Sequence, residues 1–205
     1  MTDSKNLRLS KRAAGGDDYV ALVAAARDGD RLALEQLLLK AQEVAYRFSL
    51  TICGRADDAE DVMQEALLKT YRYVSRIEHP EAFKSWLYKT VKNVCLMRHR
   101  KRVHEPRQVL SLDEFILESG ESRGLDVPDR GRNPEELAAN AGLRRRLKKA
   151  LGALPAHFRM IVFLRDMEGL STRDVAHVTG LSEANVKARL HRARLFLQQR
   201  LGRES

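Results

Sequence analysis

Three acidic side chains, Asp57, Asp61 and Glu65, recur at four-residue steps, with Gln64 beside them. On a helix that spacing makes one stripe. Such carboxylates suit acid–base catalysis, metal binding or docking of a basic protein surface. No His lies within helical reach and nothing points to a pocket, so the first two lack support. A protein-docking stripe or a solvated helix face is left. A second group, Phe83, Lys84, Trp86, Tyr88, Lys89, Lys92 and Asn93, alternates aromatic and basic residues and runs into Arg98-His99-Arg100-Lys101-Arg102. Rings beside cations can stack unpaired bases while the cations hold the backbone. The plainer reading packs Phe83 and Trp86 into a core. Cys95, His99 and His104 lack a fourth zinc ligand, and Cys95 fits an apolar stripe. Cys53 and Cys95 are too few for a disulfide framework. They could sense oxidants, but their place on apolar helix stripes reads as inert core thiols.

The third group lies near the C-terminus. Ser171-Thr-Arg-Asp174 has capping-box spacing and opens a short helix. Ala176 lets a second helix cross closely, Gly180 supplies a left-handed turn, and Val186 locks the second helix on the first. Ser182 caps that second helix. Along it Val186, Leu190, Ala193 and Leu197 share an inward stripe, while Lys187, His191 and Arg194, flanked by Asn185, Arg189 and Arg192, face outward. So many donors on one helix fit a major groove, with Lys and Arg available to phosphates and guanine edges. The bland alternative is an αα-hairpin with a solvated basic face.

The elements that must position these groups are helices throughout, because apolar residues recur at three- and four-residue steps and strand signals are lacking. Residues 17–103 read as four helices. In the second, Leu32, Leu34, Leu37-Leu38, Ala41, Val44-Ala45 and Phe48 point inward and Gly54 ends the run. Asp57 or Asp58 caps the third, whose stripe is Val62, Ala66, Leu67, Tyr71 and Val74. His79-Pro80 breaks it, and a fourth runs from about Glu81 to His99. Residues 104–136 lose periodicity and collect Gly, Pro, Ser and acids, the composition of a flexible linker. Helices resume from about Pro134 to Leu151 and again after Leu154-Pro155. The 205 residues, 43% hydrophobic, thus divide into a basic tail 1–16, a helical domain 17–103, an acidic linker 104–136 and a helical domain 137–205. The fold expected is all-α, in two small domains.

Charge follows the same division. Of the formal +9, residues 137–205 hold 14 basic and 5 acidic side chains, whereas 104–136 hold 4 and 9. A basic module behind an acidic connector suits a polyanion such as DNA. No stretch has the roughly 18 apolar residues of a membrane span, and the basic start lacks the apolar core of a secretory signal. With only two Cys, a reducing cytoplasm is expected.

Three segments together resemble bacterial sigma factors of the sigma-70 superfamily. Asp58-Ala-Glu-Asp-Val-Met-Gln-Glu65 with Ala66-Leu67 is similar to the helix of region two that binds core RNA polymerase. Phe83-Lys-Ser-Trp-Leu-Tyr-Lys-Thr-Val-Lys-Asn93 resembles the adjoining promoter-melting part. Leu151-Gly-Ala-Leu-Pro155 through Arg194 resembles region four. Nothing resembles regions one or three, the reduced layout of the extracytoplasmic-function (ECF) group. The resemblance implies a non-catalytic initiation subunit without metal or cofactor, docking on core polymerase and recognising promoter DNA. It implies that Asp61, Gln64 and Glu65 contact polymerase. Lys89, Lys92 and Asn93 would handle the melted minus-ten strand. Lys187, Ala188, His191 and Arg192 would meet the minus-thirty-five element, with Arg189 and Arg194 near phosphates. Family members commonly carry Thr-Val-Lys-Ser-Arg where this chain has Asn185-Val-Lys-Ala-Arg189, so Ala188 lacks one hydroxyl. An anti-sigma partner follows by analogy.

Two other classes compete. A stand-alone helix-turn-helix regulator would usually dimerise over two half-sites, but no dimer seam is legible and a monomer is expected. A nucleic-acid enzyme would need a metal on Asp57, Asp61 and Glu65. A regulator that binds protein only would leave the recognition helix without a purpose.

Overall fold

The computed structural model describes residues 18–103, 142 and 145–202, with the side chains of 99–103 set aside. The N-terminal tail, the acidic linker, His104 and the helix start near Pro134 therefore lie outside the described residues. Among those described every regular element is helical.

Helix α1 covers 18–27 and turns inward Tyr19, Val23 and Ala26. Asp30 then caps α2, Arg31–Cys53, its carboxylate accepting from the Leu32 and Ala33 amides at 2.9 and 3.1 Å. Ala33, Leu37, Ala41, Ala45 and Phe48 are buried at three- and four-residue steps. Gly54 ends α2 as read from the sequence: its φ of 70° is left-handed, and its N–H reaches the Leu50 carbonyl oxygen. A side chain there would carry the left-handed penalty of roughly 1–2 kcal/mol.

Helix α3, Ala56–Tyr73, departs from expectation at both ends. Its N-cap is Arg55, without a side-chain cap bond. Asp57 and Asp58 stand in the first turn instead, where carboxylates favour the helix dipole, and Asp58 pairs with Arg55 at 3.6 Å. The buried stripe is Ala59, Val62, Met63, Ala66 and Thr70. Tyr71, expected inward, is 60% exposed, because it lies one position beyond the Thr70 row. Thr70 hides its hydroxyl by donating to the Ala66 carbonyl at 3.0 Å. Two 3-10 turns, Val74–Arg76 and Pro80–Ala82, lead into α4, Phe83–Val103. Pro80 sits at the start of the second turn, so α4 begins two residues later than expected.

In the second half 145–152 form α5. Helix α6 is Ala156–Val162, with Pro155 as its N-cap rather than its first helical residue. It runs into a π turn, Phe163–Met167, and Gly169 at φ 72° ends the segment. Helices α7, Thr172–Thr179, and α8, Glu183–Gly202, follow among the described residues.

Helices α2, α3 and α4 pack together, as do α6, α7 and α8, and the two groups also meet. One continuous buried cluster joins them, with α4 against α7 and α2 against α6. Phe163 is its keystone: its ring centroid is 5.4 Å from that of Phe48 and 6.3 Å from that of Tyr88. Fully burying such a ring contributes about 2–3 kcal/mol.

Candidate nucleic-acid and protein-docking surfaces

The helix-turn-helix forms through the local signals read above. The Ser171 hydroxyl accepts from the Asp174 amide at 3.0 Å, and the Asp174 carboxylate accepts from the Ser171 amide at 3.3 Å, so the capping box is complete. Gly180 takes φ 80° and donates its N–H to the Ala176 carbonyl at 2.8 Å. Ser182 accepts from the Asn185 amide at 3.2 Å. Val186, Leu190 and Ala193 are buried and Leu197 half-buried. That burial fixes the rotation of α8 and leaves Lys187, Ala188, His191 and Arg192 together on its exposed side. Arg189 is half-buried at the margin.

Arg194 is exposed but engaged. Its guanidinium grips the Asp166 carboxylate with two donors, Nε at 3.1 Å. That hydrogen bond holds the guanidinium still more firmly protonated. The pair ties α8 to the π turn, a role the sequence did not signal.

On α3, Asp57, Asp61 and Gln64 are exposed and Glu65 half-buried. Two of these have partners within the chain: Asp61 bonds Arg98 of α4, and Glu65 pairs with Lys69 at 3.3 Å. Pairs at this exposure are worth only about 0–1 kcal/mol, so basic groups on a protein surface can exchange with them. Among the described residues no three His, Cys, Asp or Glu side chains gather as a metal site.

The aromatic–basic helix divides differently from expectation. Phe83 and Tyr88 are fully buried, and only Trp86 of the three rings is partly open, stacked on Phe83 at 6.0 Å. Tyr88 packs edge-on to Phe48 at 4.9 Å. Burial, then the Glu168 carboxylate, raises its pKa well above the usual phenol value. Lys89 is half-buried, its Nζ 3.2 Å from the His177 imidazole of α7. Lys92, one turn further along α4, is buried at 8% exposure, and burial with Lys89 nearby lowers its pKa. Asn93 is exposed. Lys89 and Asn93 thus stand nearer the surface than Lys92, which the packed chain covers.

One concavity escaped the sequence reading. It encloses about 430 Å³ between the end of α3, the two 3-10 turns and the start of α4, lined by Lys69, Tyr73, Arg76, His79 and Trp86 among others. The Arg76 guanidinium lies 5.6 Å over the Tyr73 ring. Beside the Glu78 carboxylate, an open ring, a half-open indole and two cations stand at one place, groups of the kind that can stack on a base and pair with a phosphate. Its signal was faint, because Tyr73 and Trp86 meet only when the turns bring α3 and α4 together.

Residues 35–105 match the family model Sigma-70 region 2, and residues 144–197 match Sigma-70, region 4. The chain is 32% identical to the ECF RNA polymerase sigma factor SigM of Mycobacterium tuberculosis, over 88% of this chain and 83% of that one. It is 30% identical to the ECF RNA polymerase sigma-E factor of Escherichia coli, over 84% and 88%. The sigma factor RpoE of Bartonella quintana, solved in complex with the anti-sigma factor NepR, is similar in structure. Its TM-score is 0.60 at 26% identity, over 82% of this chain and 96% of that one.

Proposed function

The chain belongs to the sigma-70 family, in its extracytoplasmic-function group, and on that premise we propose how its surfaces divide the work of transcription initiation. It is a non-catalytic sigma factor that binds core RNA polymerase and directs it to particular promoters. The observation that carries this reading is the order of surfaces along one chain: an acidic helix, an aromatic–basic helix, then a capped helix-turn-helix with an open basic face.

The α3 stripe of Asp61, Gln64 and Glu65 docks on core polymerase by exchanging its weak internal pairs for basic groups of the partner. The exposed face of α8 enters the major groove at the minus-thirty-five element. Lys187, His191 and Arg192 reach base edges or phosphates there, and Ala188 offers a methyl for apolar contact. Arg189 supports phosphate contacts. Arg194, bound to Asp166, positions α8 and turns to a phosphate only by leaving that carboxylate. On the first domain Lys89, Asn93 and the concavity beside Trp86 receive the melted minus-ten strand, and Lys92 joins them once uncovered.

Work with polymerase places the protein in the cytoplasm. No described helix is long and apolar enough to cross a membrane. An anti-sigma factor is the further partner. Free, the chain is a monomer whose binding to promoter DNA is weak and salt-sensitive, because each surface alone is small.

The test is in vitro transcription with bacterial core polymerase on a library of promoter fragments. Discrete start sites appearing only with the protein are expected. Glu65→Lys should abolish docking with the fold intact, whereas Arg192→Ala should spare docking and impair minus-thirty-five recognition. No new transcripts and no co-elution with core polymerase would refute the reading, as would loss of docking in Arg192→Ala.

A further inference from the structure

Cys53, the last residue of α2, and Cys95, in the middle of α4, are 42 positions apart in sequence, yet the fold pairs their sulfurs, with Cα atoms 6.5 Å apart. That separation lies within the range a disulfide spans without moving the backbone. Each lies on an apolar stripe, as the sequence implies, and the two stripes meet where α2 packs on α4. We propose that Cys53 and Cys95 are a reversible dithiol–disulfide site, oxidised by hydroperoxides and reset by exchange with a low-molecular-weight thiol.

The two positions are unequal, as such chemistry requires. Cys95 is 4% exposed, whereas Cys53 is half-buried beside the Gly54 turn. Cys53 is thus the sulfur a small oxidant meets. Its thiolate attacks one peroxide oxygen, the O–O bond breaks, and a sulfenic acid forms as alcohol or water leaves. The Cys95 sulfur then attacks that sulfenic sulfur, the S–S bond forms, and the S–O bond breaks with release of water. Two electrons pass from the sulfurs to the peroxide, and both thiol protons end in the released alcohol and water. Two exchange steps with a thiol such as glutathione return both cysteines and leave the glutathione disulfide.

In a reducing compartment a disulfide of this kind is transient rather than structural, and on this point alone the inference rests on the cytoplasmic reading above. Its position gives it reach. The ring it closes contains all of α3 and the first half of α4, and hence Asp61, Gln64, Glu65, Lys89, Lys92 and Asn93. Arg98, the partner of Asp61, lies one turn beyond Cys95. Oxidation therefore fastens together the elements of the polymerase-docking and strand-melting surfaces.

The test uses the full chain and does not depend on transcription. Stoichiometric hydrogen peroxide should lower the intact mass by two hydrogens and remove both alkylatable thiols. Both should return in reduced glutathione. The oxidised form should melt on the order of 10 °C higher, by restriction of the unfolded chain, and Cys53→Ser should abolish the mass change and the melting shift. Should that variant lose its helical circular dichroism, differential alkylation of the unaltered chain with mass mapping decides alone. Thiols that stay alkylatable after peroxide, a sulfinic product on one cysteine, disulfides between chains, or a bond that glutathione cannot reverse would each overturn the proposal. Intact thiol chemistry with no transcription would count against the sigma reading only.

Discussion

The Tyr19 hydroxyl donates to the Lys40 carbonyl oxygen at 3.2 Å, and its ring packs on Phe83 at 5.6 Å. Burial first, then the carboxylates of Glu168 and Glu43, push its pKa from 10.0 up to about 12. Below pH 10.0 the phenol is protonated in both folded and unfolded chains, so its contribution is fully present. Between 10.0 and about 12 the unfolded chain loses the proton while the folded one keeps it, and stability falls, by about 3 kcal/mol in all. Tyr19→Phe should therefore lose about 1 kcal/mol near neutrality, the worth of one hydrogen bond, and show a shallower decline above pH 10. Urea unfolding at about pH 8 and about pH 11.5 checks both halves of this statement; an unchanged alkaline slope would remove Tyr19 from the account. Arg192, by contrast, is exposed. Arg192→Ala should leave stability unchanged and weaken promoter binding of the polymerase complex by about 1–3 kcal/mol. Footprinting the minus-thirty-five region at fixed salt measures it.

Elements in this chain are only as legible as their signals are local. The helix-turn-helix was readable because Ser171, Asp174, Gly180 and Ser182 each act within four residues of themselves. Gly180→Ala puts this to the test. Nothing lies within 4 Å of an added Cβ, so the cost is the left-handed backbone alone, about 1–2 kcal/mol. Asp174→Ala removes half of the capping box and should cost about 1 kcal/mol. Urea midpoints measure both; a neutral Gly180→Ala would mean that the turn relaxes to another conformation. The start of α3 was misread because Arg55 occupies the cap position without capping. Tyr71 was placed inward because a stripe drawn from apolar residues alone passes over Thr70, which is buried through its own hydrogen bond. The pairing of Cys53 with Cys95 was not legible, since nothing near either residue states which helix lies opposite.

At the scale of the molecule the decisive contacts join segments far apart in sequence. Arg47 and Lys84 of the first half reach Glu168 of the second at 3.3 and 3.7 Å, and the Glu168 side chain is only 9% exposed. Phe163 packs on both Phe48 and Tyr88, with the Arg47 guanidinium 5.8 Å from its centroid. Nothing in the sequence near Phe163 says that its helix packs on the other half, and for the same reason Tyr88, set among basic residues, reads as a ring that could stack on bases. Lys92, which the proposed function needs on the surface, is buried on α4 one turn beyond Lys89, whose ammonium meets His177 of α7. The expectation is that the second half covers it and that the two halves part before that lysine meets DNA. Removing the keystone should shift that balance. Phe163→Ala should cost about 3–5 kcal/mol of the packed state by the cavity it leaves. Glu168→Gln should cost about 1–3 kcal/mol by leaving two half-buried cations short of their carboxylate. Both variants should keep the helical circular dichroism, enlarge the radius of gyration in small-angle scattering, and raise the rate at which Lys92 is acetylated toward that of Lys89. Lys69, which pairs with Glu65 on its own helix, is the control: general unfolding raises its acetylation together with that of Lys92, whereas parting of the halves raises Lys92 and leaves Lys69 unchanged. Equal protection of Lys92 in Phe163→Ala and the unaltered chain would show that α4 and its own domain cover it, and that the second half plays no part.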